Sequence, residues 1–280
     1  MSDLKKSDKK LEIFPQTCKN VFQNLNKRGQ VTIFIIMAVV IVVLGVLIYM
    51  FLPEIKITLG FGSENPSSFM QTCLGEDITD SLELISTQGG FINPQHYFLK
   101  NNEKIAYLCY TNEYYKLGVV QVPFIGNHVE NEIKRFIEPS VEECFQKMSD
   151  RYEEAGYEVV LRPGETSVEL LPKRVVVSFN YTLALKKGGE VLTYGREGDK
   201  GIRVILDNNL YELTSIANSI LRGEAEEGDV EVMKYMSYYN DLIVEKKKQS
   251  DGTTIYILTD LNSQNKFQFA SRSLAWPPGY

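Results

Sequence analysis

Residues 31–52, VTIFIIMAVVIVVLGVLIYMFL, form an apolar run with no charged side chain. Drawn as a helix, such a run is about 33 Å long, enough for the roughly 30 Å hydrocarbon core of a bilayer. The sequence therefore predicts a transmembrane helix over 30–52, with the lipid bilayer as first partner and Gly45 as the point where a second helix could approach closely. The flanks set the orientation. Residues 1–29 carry seven Lys or Arg against three Asp or Glu, and Lys27 and Arg28 abut the run. Basic residues beside a span favour the cytoplasmic side. The expected arrangement is a flexible basic tail over 1–29 inside, and a single-pass chain whose larger part lies outside the cytoplasm at the cell membrane.

The stretch Arg28-Gly29-Gln30-Val31-Thr32-Ile33-Phe34 resembles the class III signal of archaeal type IV pilin-like proteins. The resemblance covers residues 27–52. It implies processing between Gly29 and Gln30, with Arg28, Gly29 and Gln30 as the recognition residues. It also implies homo-oligomer formation through the apolar helix. Many pilins carry Glu at the fifth mature position, where this chain has Phe34. A similarity to archaeal proteins that combine such an anchor with a downstream Gln-Gly-Gly, here Gln88-Gly89-Gly90, brings no activity with it.

Beyond a stalk over 53–65, the remaining chain is long enough for a real core. Its pattern predicts an α+β fold with helices packed on antiparallel sheet: a helix-rich subdomain over 66–156 and a sheet subdomain over 157–280. Asn65-Pro66 signals a helix start and Gln88-Gly89-Gly90 its stop. Pro139 is expected to break the helix that begins near Gly126-Asn127. The clearest strand runs from Val175 to Leu185, with Val175, Val177, Phe179, Tyr181, Leu183 and Leu185 on one face. Residues 223–228 read as an acidic linker. Lys246-Lys247-Lys248 reads as protection of a sheet edge against pairing.

An oxidising exterior would allow one disulfide among Cys73, Cys109 and Cys144. Cys73 and Cys144 are the expected pair, because each sits in a similar helical setting, Phe69-x-x-x-Cys73-Leu74 and Val141-x-x-Cys144-Phe145. The alternative is three reduced thiols. Asn180-Tyr181-Thr182 is a candidate N-glycosylation sequence, with Asn180 on the polar face of its strand.

Little in the chain points to catalysis. His96 and His128 are its two histidines, and neither has a Ser, Cys or Asp at motif spacing. No CxxC, HExxH, GxSxG or phosphate-loop motif occurs, so no metal, cofactor or nucleotide is expected. Removing the basic tail leaves a net charge of −10, which argues against a nucleic-acid partner. The sequence reading is a non-enzymatic protein with a structural or interaction role at the cell envelope, presenting an acidic, tyrosine-rich surface to an envelope protein or to its own copies. A ligand-binding or sensor module is the alternative, and an envelope enzyme a more distant one. The C-terminal Trp276 is expected to pack back on the sheet.

Overall fold

The structure is a computed structural model and describes residues 35–44, 65–195 and 201–277. The chain divides into two units, Met1–Ser63 and Glu64–Tyr280. In the first, residues 35–44 are helical. This corrects the expected transmembrane helix over 30–52. Among the described residues no helix is long and apolar enough to cross a membrane. The other residues of that run lie outside the described ones.

The second unit begins with helix α1, Pro66–Thr87. Its start follows local chemistry: the Asn65 side chain accepts the Ser67 N–H at 3.1 Å, and Pro66 occupies the first turn, where no N–H is needed. Strands β1 (Tyr97–Lys100), β2 (Glu103–Tyr110) and β3 (Val119–Val120) lead to helix α2, Ile125–Glu154. Six strands follow: β4 (Glu158–Arg162), β5 (Thr166–Leu171), β6 (Arg174–Phe179), β7 (Thr182–Lys187), β8 (Glu190–Gly195) and β9 (Ile202–Asp207). Helices α3 (Leu210–Glu227) and α4 (Met233–Tyr238) precede β10 (Leu242–Lys248), β11 (Thr254–Asp260) and β12 (Lys266–Arg272).

Three sheets result. The largest has the order β1-β2-β12-β11-β10, with β3 also paired to β2; the others are β4-β7-β8 and β5-β6-β9. All pairings are antiparallel except β12 with β2. The fold is thus mixed rather than purely antiparallel. Because β2 and β12 are neighbours, residues before and after position 156 share one sheet. They also share one apolar core, built from α1, α2, α3 and the inward faces of the strands.

Two sheet edges are closed by helix side chains. Gln71 and Ser67 of α1 accept the N–H groups of Ile205 and Arg203 on β9, at 3.1 and 3.2 Å. Glu130 of α2 accepts the Leu170 N–H of β5 at 2.9 Å. Unpaired edge donors invite pairing with another chain, and these contacts remove the invitation at those positions. The third device is the lysine run, which lies on β10 at the end of the large sheet.

Local rules fail at three places, each for a visible reason. Helix α2 continues through Pro139. Proline cannot donate to the Arg135 carbonyl, but Pro139 and Arg135 both lie on the exposed face, where water can take that carbonyl. The strand expected from Val175 to Leu185 is two strands in two different sheets, β6 and β7. Its inward residues keep their phase, and Val175, Val177, Phe179, Tyr181, Leu183 and Leu185 are all buried. At Asn180 and Tyr181 the chain passes from one sheet to the next, pressed by Gly164 and Gly195. A Cβ on Gly164 would stand 2.0 Å from the Asn180 carbonyl oxygen, and one on Gly195, at φ +87°, 1.7 Å from that of Tyr181. Only glycine permits that approach. Finally, residues 223–227 are the last turns of α3, not a linker, and Gly228 ends the helix in the left-handed region.

Candidate functional site

The tyrosine groove is built by α3 and the segment that follows it. Tyr235 and Tyr238 lie on the short helix α4, Tyr239 caps its end in extended conformation, and all three line one cavity. That helix buries none of its residues. Opposite stands Tyr211 in the first turn of α3. Between them lies a cavity of about 610 Å³, within the size range of small-molecule pockets. Its apolar floor includes Leu213 and Leu242. Tyr238 is 83% exposed, Tyr239 54% and Tyr211 42%. Tyr235 is fixed by a 2.9 Å hydrogen bond between its hydroxyl and that of Ser219 on α3.

The groove is acidic. Asp241 and Asp260 lie on its rim and Glu212 on its wall. Partial burial raises the Asp260 carboxyl, but hydrogen bonds from the Ser263 backbone, Asn209 and the Ser263 hydroxyl outweigh it and hold the group below its usual range. Asp260 is therefore an anion whose oxygen already receives the Asn262 and Ser263 N–H groups at 2.9 and 2.8 Å. Glu212 accepts the Lys173 N–H at 3.0 Å. Asp241 is fixed through its backbone, whose carbonyl takes the Leu261 N–H at 2.7 Å. No described donor holds its carboxylate, and no Lys or Arg is among the described residues lining the cavity.

A second polar constellation is buried. Glu224, in the last turns of α3, is 2% exposed. Its Oε1 accepts the Tyr256 hydroxyl from β11, and its Oε2 accepts the Ser271 hydroxyl from β12 at 2.6 Å. Its carbonyl accepts the Ser273 hydroxyl at 2.6 Å, and Ser273 Oγ accepts the Gly118 N–H at 2.8 Å. Burial raises the Glu224 pKa above the ordinary range, although both hydroxyls and the Lys246 charge pull it down. Burial, then repulsion from Glu224, drives Tyr256 far upward. Cys109 is free and buried beside them. Its thiol is pushed up to about 11 by burial, which outweighs a hydrogen bond with Ser271. A thiol so raised is a poor nucleophile near neutrality.

The residues singled out from sequence are placed apart. Cys73 of α1 and Cys144 of α2 form a disulfide, with Cα atoms 6.0 Å apart. His96 is sandwiched against Tyr107 and Tyr110, with ring centroids 4.8 and 4.2 Å away. His128, in the first turn of α2, lies against Phe91 at 4.2 Å. Its Nε2 is buried without a partner. Burial lowers its pKa, against the pull of the nearby Glu132, so it is neutral at pH 7. The two histidines share no site. Asn180 is exposed at the crossing from β6 to β7. Trp276 does not pack back on the sheet: it is 57% exposed and meets Tyr115 edge-on at 5.1 Å. Arg28, Gly29, Gln30 and Gly45 lie outside the described residues. Among the described residues no group of three or more His, Cys, Asp or Glu is placed to hold a metal ion.

Comparison with family models, with curated proteins and with solved structures finds no match to this chain. The geometry alone carries the functional reading. Sequence reasoning expected an acidic, tyrosine-rich surface and assigned no residues to it. The available signal was the Tyr235, Tyr238, Tyr239 spacing beside Asp241. The buried Glu224 network had no such signal, because Glu224 reads as one more charge in an acidic run.

Proposed function

We propose that the folded unit is a non-enzymatic interaction module acting outside the cytoplasm, and that the tyrosine groove is its binding face. The observation that carries this reading is the gathering of four tyrosines around one cavity, three of them substantially exposed. Tyrosine offers a large, rigid contact area and a polar tip, which makes it a frequent anchor at recognition surfaces. Leaving such rings in water contributes nothing to the core. The Cys73–Cys144 disulfide supports the compartment, since structural disulfides persist where the surroundings are oxidising.

A photo-crosslinking residue in place of Tyr238, introduced in the native host, tests the reading. A matched probe replaces Val191, which is 60% exposed on β8. The expected outcome is a discrete adduct from position 238 and none from 191. Equal labelling from both positions, or none from 238, overturns it.

A further inference from the structure

The ligand class follows from which groups in the groove are already engaged. Three carboxylates border the cavity, and the described residues lining it include no cation. Glu212 and Asp260 are tied to backbone N–H groups. Asp241 is not, yet its backbone is fixed by the Leu261 contact. Beside it, in sequence and in the cavity wall, stand Tyr238 and Tyr239. An aromatic face attracts a cation through its quadrupole, and a carboxylate at the rim adds a directed charge. A phosphate or another anion would meet only negative charge there.

Building on the interaction role, we propose that the groove receives a Lys or Arg side chain from a basic segment of a protein partner, held between the Tyr238 and Tyr239 rings and the Asp241 carboxylate. The cavity has ample room for one long side chain, with its aliphatic stem on the Leu213 and Leu242 floor. Such a stem buries readily while its charged head stays polar-bound. Charge complementarity favours this occupant over a neutral glycan, whose hydroxyls could donate to the carboxylates but would leave their negative charge uncompensated.

The test is calorimetric titration of the full chain with an acetylated, amidated tetra-arginine peptide, and separately with maltotriose as a neutral sugar probe. Binding of the peptide should weaken about three- to fivefold in Tyr238→Ala, a change that leaves the net charge intact. It should weaken about fivefold in Asp241→Asn and decline with added salt. Glu154→Gln, an exposed carboxylate at the end of α2, should bind within about twofold of the parent chain. Equal peptide affinity in all variants would mean diffuse attraction to an acidic protein and overturn the proposal. Binding of maltotriose in place of the peptide, sensitive to Tyr238→Ala, would overturn the cationic ligand and leave the groove as binding face. Binding of neither probe, joined to an absence of adducts from position 238, would remove both.

Discussion

The Glu224 network and the tyrosine groove draw on the same side-chain types, carboxylate with tyrosine and serine, and on the same helix. Yet they end in opposite states. Glu224 sits near the C-terminal end of α3, where β11 and β12 close over it, and Tyr256, Ser271 and Ser273 all bond to that one residue. Tyr211 sits at the other end of α3, where the chain leaves a cavity open, and Asp241 and Tyr238 face it without described side-chain partners. Polar groups in a low-dielectric interior must satisfy one another, so their chemistry is consumed in holding the fold. Polar and aromatic groups kept in water remain available to a partner. Burial of a reactive-looking cluster is therefore an argument for structure, and exposure of costly aromatic surface an argument for function.

The comparison can be tested first at its foundation. The disulfide closes a loop with a sequence separation of 71 between α1 and α2. In the chain-entropy account its loss costs about 4 kcal/mol. Replacing Cys73 and Cys144 together by Ala should lower the unfolding free energy, measured by urea denaturation, by that amount. A shift below about 1 kcal/mol would place the stability of both regions elsewhere.

Next in size is Glu224→Ala, which strands two buried hydroxyls and should cost about 3 kcal/mol. Glu224→Gln keeps the shape and a neutral group. Because the folded pKa of Glu224 lies above its ordinary value of 4.5, its contribution is complete below that value and falls as pH rises through the raised pKa. The stability of the parent chain relative to Glu224→Gln should therefore decrease from pH 4.5 toward pH 8, measured by denaturant midpoints. An increase over that range would show that the charged carboxylate is what the fold selects.

The smallest effect belongs to the groove. Tyr238→Ala should change stability by no more than about 0.5 kcal/mol, since the ring touches little of the core. A loss several times larger would make the groove a part of the core and erase the contrast with Glu224.

How far these regions could be read in advance depended on whether the deciding interactions were local. The start of α1 was legible because Asn65 and Pro66 act within one turn. The inward face of residues 175–185 was legible because side chains alternate along any strand. The break at Asn180 was not, because it depends on Gly164, from the β4–β5 connection, and Gly195, from the end of β8, arriving there. Pro139 misled because the cost of a missing donor depends on which side of the helix meets water. The long apolar run misled in a different way. Its composition is that of a bilayer span, yet among the described residues no helix is long and apolar enough to cross a membrane.

By itself the sequence determined where α1 begins, that residues 175–185 are extended, and which of their side chains turn inward. These follow from backbone preferences and from the cost of leaving apolar surface in water. The tertiary structure alone decided that Glu224 would be walled in and Asp241 left open, that one alternating stretch would serve two sheets, and that β2 would pair in parallel with a strand some 160 residues away along the chain. Those outcomes depend on contacts between distant segments, and no local propensity encodes the solvent exposure that such contacts create.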